Sequence, residues 1–208
     1  MRKVGIMGGT FNPIHNGHLM LAQKALMQFT LDEVIFMPCG VPYMKAGQKV
    51  EDGRIRAEMT ALAIDGQPRF TLSVMELAQT GNTYTYQTLK RLRAENPQTA
   101  YYFIVGADSL FHMSKWAHPE EIFANCCILA AVRDGKTTAD MEEQIRVLQK
   151  EYRADIRLLQ TECMDISSSD IRRKIADGES VEKDVPESVK LYIAQQGLYR
   201  EEEQHGKD

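Results

Sequence analysis

Short β-rich apolar runs alternate along the chain with longer stretches in which apolar residues recur at helical spacing. The runs at 4–7, 33–37, 70–75, 101–105, 127–132 and 156–159 read as strands. The stretch 18–29 reads as a helix, because Leu19, Leu21, Ala22, Ala25, Leu26 and Phe29 form one broad apolar face. Further helices are expected over 52–64 with Asp52 as N-cap, then over 85–93, 138–151, 168–176 and 186–195, with Gly197 stopping the last. Alternating strands and helices predict an α/β fold: a doubly wound parallel sheet, Rossmann-like, with a small C-terminal helical part. Such sheets bind ligands beyond the carboxyl ends of their strands, so the loops after Met7, Met37, Val105 and Val132 are the ones to inspect.

The length of 208 residues allows one large domain or two small ones. No linker or repeat divides the chain, so one domain over 1–200 and a polar tail over 201–208 are expected. A hydrophobic fraction of 43% and a charged fraction of 26% exclude disorder as the main state. No apolar run approaches the roughly 20 residues a bilayer span needs, so no membrane partner is expected. The net charge of −4 gives no footprint for general nucleic-acid binding. The start of the chain lacks the apolar core of a signal peptide. Cys39, Cys126, Cys127 and Cys163 show neither CxxC spacing nor disulfide density. Cytoplasm is the simplest compartment, and a homo-oligomer is left open. Cys126 and Cys127, adjacent in a strand, should point to opposite faces as packing residues.

The strongest chemical signal is the first loop, Gly8-Gly9-Thr10-Phe11-Asn12-Pro13-Ile14-His15-Asn16-Gly17-His18. Two glycines after a strand let the backbone approach a ligand. His15 and His18, three apart near a helix start, can serve one anion at the positive end of the helix. Gly17 is expected to leave a gap for a phosphate or sugar. Neither GxGxxG nor GxxxxGK[ST] occurs, and HxxH without a suitably spaced third ligand does not make a metal site. The second signal is Ile166-Ser167-Ser168-Ser169-Asp170-Ile171-Arg172, in which serines open a helix and Arg172 adds a permanent cation one turn in.

Together these motifs resemble the (H/T)xGH nucleotidyltransferase superfamily. The chain from Met1 to about Tyr199 is similar within it to the bacterial nicotinate-mononucleotide adenylyltransferases, through segments 37–45, 84–85, 106–109, Trp116, 185–186 and 197–199. The resemblance implies transfer of the adenylyl group of ATP to nicotinate mononucleotide, with Mg2+ accompanying the ATP. It implies catalytic roles for His15, His18 and Arg172. The implied ATP-binding set comprises Gly8, Gly9, Thr10, Phe11, His15, His18, Gly106, Asp108, Ile166, Ser168 and Arg172. Asp108 is implied to serve the ribose hydroxyls. Lys45, Thr85, Trp116 and Arg133 are implied for the mononucleotide, Trp116 by stacking on the pyridine ring. The chain departs from the family pattern at Asn12, where the family often has Asp, and at Met44, which replaces the family's histidine. Sister adenylyltransferases acting on phosphopantetheine, cytidylyltransferases and a non-catalytic nucleotide sensor would share the two motifs. Length and the segment from Asp108 to Trp116 favour the nicotinate enzyme.

Overall fold

The computed structural model describes residues 1–40, 50–132, 137–161 and 166–200. Six strands, β1 (Arg2–Gly9), β2 (Glu33–Pro38), β3 (Phe70–Leu72), β4 (Thr99–Gly106), β5 (Cys127–Ala131) and β6 (Ile156–Leu159), form one sheet. Every pairing is parallel and the order is β3-β2-β1-β4-β5-β6. The order reverses between β1 and β4, which opens a crevice at their carboxyl ends.

The strands read as apolar runs because both faces of the sheet are covered. On one face lie α1 (Asn16–Gln28) and α2 (Gly53–Ile64), together with α7 (Ser168–Ala176) and α8 (Glu187–Gln196). They bury Leu26, Met59, Ile171 and Val189 against Phe36, Ile104 and Leu129. On the other lie α3 (Thr85–Glu95), α4 (Ala107–His112), α5 (Pro119–Asn125) and α6 (Thr138–Tyr152). They bury Leu89, Leu110, Ile122 and Leu148 against Ile6, Phe103 and Ile128. Cys127 packs in the first layer and Cys126 in the second, as their adjacency predicts. Burial pushes both thiols well above the ordinary range, which suits packing rather than redox chemistry.

Three local differences from the sequence pattern have physical causes. The run at 70–75 is a strand only to Leu72. Ser73 still donates its N–H to Phe36, but its hydroxyl accepts from Met75 N–H and the chain turns away. α4, a 3-10 turn at Met113–Lys115 and α5 occupy a stretch with no long apolar period. Each is too short to show one, although Pro119, Glu120 and Glu121 do mark a helix start. α1 begins at Asn16, two residues early, because Asn16 is anchored from outside the helix: its N–H donates to Asp184 O and its amide to Lys183 O. Asp52 caps α2 as expected, accepting from Arg54 N–H at 2.8 Å, and Gly197 ends α8 in the left-handed region.

Candidate active site

A cavity of about 500 Å³ opens at the β1/β4 reversal, within the range of small-molecule sites. Gly8 and Gly9 of β1 and Val105 and Gly106 of β4 form its floor.

At one end lie Thr10, His15 and His18. His15 is the N-cap of α1 and His18 is in its first turn. Their rings stack, with centroids 3.7 Å apart. His18 Nδ1 accepts from His15 N–H at 3.3 Å, which assigns the proton of a neutral His18 to Nε2. Phe11, buried and with φ of 50°, sets its ring edge-on to His18 with centroids 5.0 Å apart. Gly17 does not leave a gap for ligand. A Cβ there would sit 3.0 Å from the His15 ring, so this glycine lets the imidazole lie against the helix.

Ser167, Ser168 and Ser169 bring the start of α7 to the same end. Ser167 caps the helix, accepting from Asp170 N–H and donating to its carboxylate. That hydroxyl bond holds the Asp170 carboxyl below its usual range. Ser168 Oγ donates to Pro13 O at 2.9 Å. Arg172 Nη1 donates to Asn12 O at 2.8 Å and Nη2 to Ser169 Oγ at 3.3 Å. His15 and His18 at the start of α1 and the three serines at the start of α7 therefore line the same cavity.

At the other end, Trp116 is held edge-on by Phe103 with centroids 6.4 Å apart. Its buried Nε1 has no hydrogen-bond partner among the described residues. Thr85 opens α3, whose N-cap Tyr84 makes no side-chain cap bond, so the helix presents open N–H groups there. Glu76, half-buried, accepts from Thr88 Oγ1 at 2.7 Å. Burial pushes its carboxyl up, against the opposing pull of the Thr88 and Thr83 hydroxyls. Asp108, exposed in the first turn of α4, stands at the rim by β4.

The cytidylyltransferase-like family model matches residues 6–174. A "Probable nicotinate-nucleotide adenylyltransferase" of Lachnoclostridium phytofermentans is 44% identical over 96% of this chain and 100% of its own length. A protein of the same name from Clostridium botulinum is 39% identical over 94% and 98%. The chain belongs to the nicotinate-nucleotide adenylyltransferases of the cytidylyltransferase-like family. The fold agrees with Plasmodium falciparum nicotinic acid mononucleotide adenylyltransferase complexed with NaAD, at a TM-score of 0.80 and 19% identity. The same protein complexed with APC gives 0.78, and in both cases 96% of this chain and 98% of the other are covered.

For this adenylyltransferase, the cavity brings together Gly8, Gly9, Thr10, His15, His18, Gly106, Asp108, Ser168, Thr85 and Trp116 from the residues singled out in the sequence. Phe11 and Ile166 are buried beside the cavity rather than in its lining. Arg172 also stands outside the lining, on Asn12 and Ser169. Lys45 and Arg133 lie outside the described residues, as does Met44. The sequence did not single out Glu76, Thr83 or Thr88, because a Thr or Glu beside a turn has no periodic signature. Asn12 is a hub of the loop: Oδ1 accepts from Tyr199 Oη at 2.9 Å and from Glu51 N–H at 3.3 Å. The motif end Gly197-Leu198-Tyr199 pointed toward Tyr199 without giving its partner.

Proposed function

We propose that this protein transfers the adenylyl group of ATP to nicotinate mononucleotide, releasing pyrophosphate. The observation that carries the reading is the stacked His15–His18 pair at the start of α1, facing the start of α7 across one cavity. The acceptor phosphate is ionised at neutral pH, so no general base is needed. One of its oxygens forms a bond to the α-phosphorus of ATP. The bond from that phosphorus to the β-bridging oxygen breaks, and pyrophosphate leaves with the electron pair. The protein aligns two anions and stabilises charge on the leaving group.

His18 Nε2–H supplies a donor for that charge. Ser168 and the start of α7 hold the outer phosphates. Arg172 joins them by exchanging its longer bond to Ser169 for a phosphate oxygen while Nη1 stays on Asn12. Gly106 and Asp108 serve the adenosine side. Trp116 stacks on the electron-poor pyridine ring, and the open start of α3 at Thr85 favours a carboxylate over an uncharged amide. Among the described residues no three His, Cys, Asp or Glu side chains gather as a metal site. Mg2+ enters as part of the substrate, carried on the triphosphate oxygens.

Pyrophosphate release from ATP, measured side by side with nicotinate mononucleotide, nicotinamide mononucleotide and phosphopantetheine, tests the reading. The expected order places nicotinate mononucleotide first in kcat/KM. Faster turnover of phosphopantetheine, or ATP binding without product for every acceptor, overturns it.

A further inference from the structure

We propose that Arg56 is a positioning residue that locks the phosphate loop after β1 and the turn after β2 into one unit, fixing the separation of the two substrates. Arg56, in the first turn of α2, is only 3% exposed. Its guanidinium spends every bond on main-chain carbonyls. Nε donates to Glu51 O at 2.9 Å and Nη1 to Thr10 O at 2.7 Å, while Nη2 donates to Cys39 O at 2.9 Å and Gly40 O at 3.2 Å. No described carboxylate pairs with it. A buried arginine answered only by carbonyls is an unusual use of the residue, since buried charges are ordinarily paired with an opposite charge.

The carbonyls it joins belong to two different walls of the cavity. Thr10 stands at the histidine end, and Cys39 lines the cavity from the turn after β2. Cys39 N–H donates to Gly9 O at 2.8 Å, a second tie between the same two segments. From Gly40 the contact continues to the pyridine end. A Cβ on Gly40 would lie 2.7 Å from both Glu76 O and Thr83 Cγ2, so the turn is pressed directly against the segment that carries Glu76 and Thr83. Arg56 thus grips Thr10, Cys39 and Gly40, and from Gly40 the contact continues to Thr83, two residues before Thr85. Only a planar fork can hold three segments at once, and a lysine ammonium keeps the charge without that geometry.

A residue that sets the distance between two sites has a distinct kinetic signature. Binding of one substrate needs one wall, whereas in-line transfer needs both, and a misplacement of about 1 Å costs on the order of 10²-fold in rate. Arg56→Lys disturbs the guanidinium side of this contact and Gly40→Ala its face against Glu76 and Thr83. The test measures kcat, the Kd of ATP alone by calorimetry, and the melting temperature of each full-length variant. Both variants are expected to lose about 30- to 100-fold in kcat while the Kd of ATP changes less than about threefold. A folded Arg56→Lys enzyme with wild-type kcat overturns the proposal, as does a Gly40→Ala enzyme with wild-type kcat. Loss of ATP affinity in step with kcat overturns it too, because Arg56 would then act on phosphate by charge. Failure of both variants to fold assigns the residue to stability alone and equally overturns it. The proposal rests on the two-substrate reading above. The two fail differently, because the ratio of variant to wild type is read with whichever acceptor the wild type turns over best.

Discussion

Replacing Tyr199 by Phe removes one hydroxyl that ties the segment after α8 to the phosphate loop. In the folded protein Tyr199 Oη donates to Asn12 Oδ1 at 2.9 Å, and the same oxygen also accepts from Glu51 N–H at 3.3 Å. Asn12 Oδ1 therefore keeps a partner in the variant, and the loss is the net value of one hydrogen bond, about 1 kcal/mol. For a chain of this size that lowers Tm by about 2–4 °C. The pH dependence supplies a second, independent check. Burial raises the phenol above its ordinary value of 10.0, helped by Glu51 and opposed by Arg172 and Arg56. A folded-state pKa above the unfolded one means the contribution is complete below about pH 10. It is lost as pH rises from there through the folded value. Urea unfolding of wild type and Tyr199→Phe from pH 7 to pH 11 should show a constant gap up to about pH 9.5 and a shrinking gap beyond. Equal stability at pH 7, or a gap that widens above pH 10, refutes the assignment of this bond.

His18→Ala should lower kcat by about 10²–10³ while the Kd of ATP moves by less than about threefold, because the contact strengthens as the leaving group gains charge; equal losses in the two count against it. Trp116→Ala should raise the KM for the mononucleotide by about two- to tenfold, the range expected for one aromatic stack, and an unchanged KM would refute stacking. Glu76→Gln should stabilise the protein at pH 7, since burial raises the carboxyl above its ordinary 4.5 and the cost of ionising it appears as pH rises through the folded value. The gain should vanish in melts at pH 4; a larger gain at pH 4 than at pH 7 would show that another interaction is responsible.

The element order, the parallel sheet and the two anion-facing loops were legible in the sequence because each depends on local pattern. Strands buried on both faces are short apolar runs, and a helix start announces itself through its capping serines or through histidines at a three-residue interval. Cys126 and Cys127 were placed on opposite layers from adjacency alone, since strand geometry leaves no other choice. The pattern gave less where an element is shorter than two turns, as with α4 and α5, or where an edge strand stops early, as at Leu72.

What only the tertiary structure decided is how distant carbonyls, hydroxyls and rings meet. Tyr199 and Asn12 are 187 positions apart, and nothing in either neighbourhood encodes their bond. Nothing in the sequence singles out Arg56; folding brings Thr10, Cys39 and Gly40 around it. Gly17 reads as open space until the His15 ring is seen to fill it. Sequence fixes chemistry and local geometry through nearest neighbours along the chain. The distances between walls of a site are set by packing across the sheet, where contacting residues have no spacing rule to betray them.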